Sequence, residues 1–324
     1  MRDRLPTISP RLYARVTLVA LAALTLIVLT GAAVRLTGSG LGCPDWPKCY
    51  GQAIAPLETH AIIEYGNRLI SGLVGLAAVG AGVLAFRRRP FRRDLAVLGV
   101  ILPIGVIGQA VLGGFTVRNH LAPGFVMGHF ALSMLLLIAA VALAWRANHE
   151  PGSRPRSTDR LAVWSVRGLV PLGALTIFAG TAATAAGPHA GGRPHERIHR
   201  LHFYGNDTLS WAVHQHGTVA AIFGVAAVAA FLLLRRRGAD AQVRRAMGTL
   251  VALLAAQGAV GGIQYALKLP AEIVWVHVGL ACTTWLAVLW ATAAAGRLVP
   301  RRAPEPAEPA ERAETARPPA LTAR

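Results

Sequence analysis

Eight apolar stretches, each long enough to cross a bilayer, constrain this chain more than any other feature. They lie at about 16–34, 61–86, 95–115, 124–145, 163–183, 209–234, 247–265 and 273–295. A membrane helix needs roughly 20 mostly apolar residues. Inside hydrocarbon a segment must satisfy its own backbone polar groups, which leaves helices or a closed barrel. Stretches of this length predict an all-α polytopic fold with eight transmembrane helices. Charged residues make up only 15% of the chain, against about a quarter in a soluble domain. That excludes a water-soluble enzyme.

The formal net charge is +18, from 33 Lys+Arg against 15 Asp+Glu, and its placement decides what it means. The N-terminal arm, the loops after stretches 2, 4 and 6, and the C-terminal segment together hold 25 of these cations. Only seven fall in the other loops: Arg35, Lys48, Arg118, Arg193, Arg197, Arg200 and Lys268. Arg68 lies inside stretch 2. The positive-inside rule puts both termini in the cytoplasm of a multi-pass plasma-membrane protein. The cations therefore report topology. Membrane lipid is an expected partner and nucleic acid is not. Residues 301–324, rich in Pro, Ala and Glu, are expected to be a disordered cytoplasmic tail.

The chain also repeats itself. Gln109, Gly113, Gly114, Val126 and His129 recur 148 residues later as Gln257, Gly261, Gly262, Val274 and His277. Gly31 through Gly38 aligns with Gly180 through Gly187 at a spacing of 149. Residues 1–150 and 151–300 thus read as two copies of a four-helix unit, arranged as pseudo-symmetric parallel bundles. An even helix count gives both copies the same orientation.

Ionisable residues within spans are costly and are functional candidates by default. The spans hold Glu64, Arg68, His129, His214, His216 and His277. The acid and the histidines lie early in helices that run from outside to inside, so they cluster in the outer half of the bilayer. Imidazoles on facing bundle helices can hold haem iron. Zinc is the rival, but it prefers four ligands with Cys or carboxylate among them. Taken singly, each histidine reads as an interhelical hydrogen bond. The shared repeat position of His129 and His277 strengthens ligation. His214 and His216 point about 200° apart on a helix, so one of them faces the bundle. His216, leading into Gly217-Thr218, is favoured and His214 is the alternative. His189, His195, His199 and His202 lie in a loop, where histidines are usually solvated.

At residues 10–298 the chain resembles the haem A synthase family. The motifs are Gly31-Ala-Ala-Val-Arg-Leu-Thr-Gly-Ser-Gly-Leu-Gly-Cys43-Pro-Asp45-Trp46-Pro47-Lys-Cys49, Glu64-Tyr-Gly-Asn67-Arg68, Leu112-Gly-Gly-Phe-Thr-Val117 and Thr184-Ala-Ala-Gly187-Pro188-His189. The resemblance implies oxidation of a methyl group of haem O to the formyl group of haem A by two successive hydroxylations. It implies haem b in residues 151–300, ligated by His216 and His277, and substrate haem in residues 1–150, ligated by His129. It gives Glu64 a catalytic role; the alternative is a structural pair with Arg68. The implied partners are a membrane-bound haem O synthase, an electron acceptor and, optionally, a second copy of the chain. A non-enzymatic dihaem b-type cytochrome is the rival reading. A transporter is a second, and it would need a midplane site with broken helices; Pro103 and Pro171 are the only hints of one.

Two positions depart from the family pattern. Its Glu-x-x-His-Arg has Asn67 where the histidine stands, and Gly217 follows His216 in place of arginine. The first change leaves His129 as the remaining expected ligand of the substrate haem. Cys43 and Cys49 lie in an outside loop, where a disulfide is permitted and expected. Its role is either structural or in electron relay or docking. Cys282 reads as a small packing residue. Arg118, Arg193, Arg197, Arg200 and His189 are candidates to meet haem propionates. Trp46 and Trp211 suit an interfacial belt. The Gly113-Gly114 and Gly261-Gly262 pairs permit close approach of a helix or a flat ring.

Overall fold

The computed structural model describes residues 6–153, 156–193, 196 and 198–299. The tail expected at 301–324 lies outside them. Among the described residues, nine α-helices form eight spans: α1 (Pro10–Leu36), α2 (Thr59–Arg87), α3 (Arg93–Arg118), α4 (Pro123–Asn148), α5 (Arg160–Arg167), α6 (Leu169–Ala186), α7 (Thr208–Arg236), α8 (Ala241–Ala266) and α9 (Ala271–Ala294). All eight are long and apolar enough to cross a membrane. The protein is a multi-pass membrane protein.

Local chemistry sets the helix starts. Pro10 and Pro123 occupy first-turn positions, where a missing N–H costs nothing. Ser9, Asp159 and Asp240 cap α1, α5 and α8 by accepting from backbone N–H groups. The fifth span is broken at Gly168, three residues before Pro171. Proline has no N–H to offer and its ring crowds the carbonyl four residues back. The tight turns after α3 and α8 use the left-handed pairs His120-Leu121 and Lys268-Leu269, again 148 residues apart.

Within the first four spans, each helix packs on its sequence neighbours, and α1 closes against α4. In the second four, α6 lies along α7 and α8 along α9, while α6 and α9 touch sparsely. The halves meet through α1 against α9 and α4 against α6 and α9. Tyr13, Leu24, Met134, Leu137, Trp285 and Val288 belong to this buried core. Trp285 donates its indole N–H to the Met134 carbonyl at 3.1 Å, and Trp275 donates to Leu29 at 3.0 Å. Leu69, Leu73, Leu76 and Val225 face outward, as a lipid-facing surface requires.

The described ends of the chain, at residues 6 and 299, lie on one face of the bundle, the terminal face. There the fully buried Arg88 bonds Glu150 and the Pro90 carbonyl, and Arg92 pairs with Asp94. A two-residue parallel ladder joins β1 (Arg156–Ser157) to β2 (Arg297–Leu298). The opposite, distal face carries the long loops at 37–58 and 187–204.

Candidate functional site

The polar side chains of the spans gather toward the distal face in two places. In the second half, His216 on α7 and His277 on α9 face each other across the bundle. Their ring centres are 6.2 Å apart and their planes nearly perpendicular, at 78°. The Nδ1–H of His216 donates to the Thr176 carbonyl of α6 at 3.0 Å. That bond fixes the tautomer and leaves the lone pair on Nε2. Nδ1 of His277 is buried with no hydrogen-bond partner among the described residues. The Gln257 amide donates to the His277 carbonyl and to its Nε2, both at 3.1 Å.

This geometry fits a metal held between two imidazoles. Metal–nitrogen bonds of about 2 Å on each side place the ring centres about 6 Å apart. A metal at His277 Nε2 would take the place of the Gln257 hydrogen bond. Glycines make room for both rings: a Cβ at Gly180 would meet the His216 ring at 3.0 Å, and one at Gly261 would meet His277 at 3.1 Å. His214 is exposed, with Nδ1 on the Ser210 carbonyl.

In the first half, His129 on α4 repeats the environment of His277. A Cβ at Gly113 would meet its ring at 3.3 Å. Gln109 donates to the His129 carbonyl at 3.1 Å and to Ser133 Oγ at 2.7 Å. The position matching His216 is Asn67, 149 residues earlier.

Glu64 is 6% exposed. Its Oε2 accepts from the Cys43 N–H at 2.7 Å and its Oε1 from Arg68 at 2.5 Å. Arg68 also donates to the carbonyls of Asp45 at 3.1 Å and Lys48 at 2.9 Å, with longer contacts to Cys43 and Pro47. A disulfide joins Cys43 to Cys49 within that loop. Asp45 turns the loop by accepting from the N–H groups of Tyr50 and Gly51 at 2.7 and 2.8 Å. The Gly51 bond, aided by Tyr50 and Arg68, holds its carboxyl below the ordinary aspartate value. The Glu64–Arg68 pair expected as the structural alternative is therefore formed, and it also clamps the disulfide loop.

The Trp46 ring lies on α3, where a Cβ at Gly114 would meet it at 2.9 Å, and Arg118 donates to the Trp46 carbonyl at 3.2 Å. The glycine pair had marked a place for a flat ring. That the ring comes from the chain's own loop was not visible in the sequence.

The remaining candidates have local partners. His60 bonds Ser39 Oγ at 2.9 Å. His189 donates Nε2–H to Leu269 at 2.7 Å, and its carbonyl accepts from Arg35 at 2.8 Å. Arg200 reaches the Pro188 carbonyl at 3.4 Å. A distal cavity of about 720 Å³ is lined by His60, His189, Arg193, Arg200 and His202, among others. His195 and Arg197 lie outside the described residues. Cys282 is buried and free. Thr176, Gly180 and Ser133 were not singled out for these contacts. Only Gly180 had left a trace, in the 149-residue alignment.

Residues 14–62 and 57–289 match the family model described as COX15-CtaA, cytochrome oxidase assembly protein. The chain belongs to that family. Among similar proteins, a Heme A synthase of Alkalihalophilus pseudofirmus is 35% identical over 122 residues, 36% of this chain and 40% of its own length. A Protoheme IX farnesyltransferase of Thermus thermophilus is 32% identical over 274 residues, 81% of this chain and 45% of its own. One of Halobacterium salinarum is 34% identical over 130 residues, 40% of this chain and 29% of its own. This COX15-CtaA member thus spans less than half the length of these relatives.

Proposed function

We propose that this protein oxidises haem O to haem A in the plasma membrane, with both termini cytoplasmic. The observation that carries this reading is an asymmetry between the repeats. Both halves have a distal histidine site, but at one matched position the first carries the buried Glu64 and the second Val213. One half is thus furnished to hold a haem and the other to react with one. Membership of the COX15-CtaA family and relatives named Heme A synthase support the same assignment.

His216 and His277 would hold a resident haem b, which supplies one-electron transfer when bound. His129 would hold the substrate haem in the first half. Glu64 would exchange protons with the reacting methyl carbon's oxygen substituent, and Arg68 would keep the carboxylate aimed. The substrate methyl takes a hydroxyl from each of two water molecules in turn, becoming a hydroxymethyl group and then a geminal diol, which loses one water to give the formyl group. Four protons and four electrons are released, the electrons to an external acceptor. The relatives named Protoheme IX farnesyltransferase support a farnesylated haem as substrate, delivered by a haem O synthase.

The test is chromatography of haems extracted from the full chain purified with a haem O supply. Haem B together with haem O or haem A is the expected result. Haem B alone, with no haem A formed, would replace this reading with a b-type cytochrome.

A further inference from the structure

The two histidine sites also differ at a second matched position. His216 fills its place in the second half, and the ring packs onto Gly180, where a Cβ would sit 3.0 Å away. In the first half the same place belongs to Asn67. Its glycine counterpart, Gly31, has nothing within 4 Å of an added Cβ. Both glycines are half-buried, so the difference lies in what faces them. The Oδ1 of Asn67 is buried and has no hydrogen-bond partner among the described residues.

Asparagine does not reproduce histidine here. Its amide ends closer to the backbone than an imidazole nitrogen does, and carboxamide is not among the usual axial ligands of haem iron. Opposite it, His129 keeps the supports of its counterpart His277: the glycine under the ring and the glutamine on the carbonyl. One side of the first site is therefore built and the other is left open around an unsatisfied amide.

We infer that the first half binds haem iron through His129 alone and keeps a pocket for a small neutral ligand, of the size of water or a diatomic gas, beside Asn67. Asn67 is then a positioning residue whose amide hydrogen-bonds that ligand, Oδ1 accepting from a bound water or the Nδ2–H donating to a diatomic gas. The second half, with His216 and His277 on opposite sides, has no such vacancy. This inference rests on the haem reading of the two halves given above.

Carbon monoxide is the probe. The full chain is purified with a haem O supply, reduced and exposed to the gas. The first-half haem should bind it and the haem b should not, so the carbon monoxide difference spectrum accounts for about half of the total haem. Asn67→His should abolish binding and give a second six-coordinate, low-spin haem. Asn67→Leu should keep binding but release the gas about five- to tenfold faster, the equivalent of one lost hydrogen bond. Two haems present with no carbon monoxide bound to the unaltered protein would overturn the inference alone. Unchanged release from Asn67→Leu would remove Asn67 from the pocket. Haem B alone in the preparation would overturn the haem reading and the inference with it.

Discussion

Arg68 stands one turn beyond Glu64 on α2, and its guanidinium lies 2.5 Å from the carboxylate. The same guanidinium holds loop carbonyls on its other edges. The candidate catalytic acid and the disulfide loop are therefore parts of one hydrogen-bonded unit. Glu64→Gln keeps an acceptor for the Cys43 N–H but removes the charge. Haem O conversion should fall about 10²- to 10⁴-fold, the range for losing a general acid–base group. The b-type spectrum should be unchanged. Conversion near the unaltered rate would leave Glu64 with its clamp role only.

Arg68→Leu removes the clamp outright. Breaking a buried ion pair by deleting one partner costs about 3–5 kcal/mol, and the lower end applies because Arg68 is 18% exposed. The loop should loosen, so a thiol reductant should open Cys43–Cys49 faster than in the unaltered protein. Arg68→Lys should fall between the two. Equal reduction rates in all three would mean that the loop is held by other contacts.

Matched glycines should respond differently to alanine. At Gly180 the new Cβ meets the His216 ring at 3.0 Å, and at Gly114 it meets Trp46 at 2.9 Å. Overpacking of this kind costs about 1–3 kcal/mol. Their counterparts Gly31 and Gly262 face open space, so alanine should be neutral there or stabilising by up to about 1 kcal/mol from helix propensity. Thermal unfolding of the four variants in detergent checks the pattern. Equal effects within each pair would contradict it.

Asp45 makes the loop acid-sensitive. Its folded carboxyl is held below the ordinary value of 3.8, so its stabilisation is complete above that value. It disappears as the pH falls through the depressed one. Amide protection of Tyr50 and Gly51, corrected for intrinsic exchange, should drop in that acid window and should already be low at neutral pH in Asp45→Asn. Protection that persists in the variant would show that the carboxylate does not hold the turn.

Much of the fold was legible in the sequence because hydrocarbon admits so few solutions. Length and hydropathy located all eight spans, and the 148-residue register located His129 and His277 together. The break at Gly168 was less legible: Pro171 pointed to a kink, but proline acts on the preceding turn, so the interruption falls upstream of it. The candidate site was legible as residue types and not as contacts. Glu64 and Arg68 announced a pair by their four-residue spacing. Nothing local revealed that Arg68 also reads carbonyls some 20 residues earlier, because loop placement is a tertiary property. Trp46 illustrates the same limit: residue type suggested an interfacial place, and nothing local showed that its ring packs on Gly114.

The bond from Arg35 to the His189 carbonyl, and from the His189 ring to Leu269, ties α1, the loop at 187–204 and the α8–α9 turn into one strap. The strap crosses the seam between the halves, and Trp275 and Trp285 cross it again. A slide or tilt of one bundle against the other would have to break these bonds. For the two haems proposed above, one on either side of that seam, the tunnelling distance would then be a constant of the fold, and electron exchange between them would wait on no docking step.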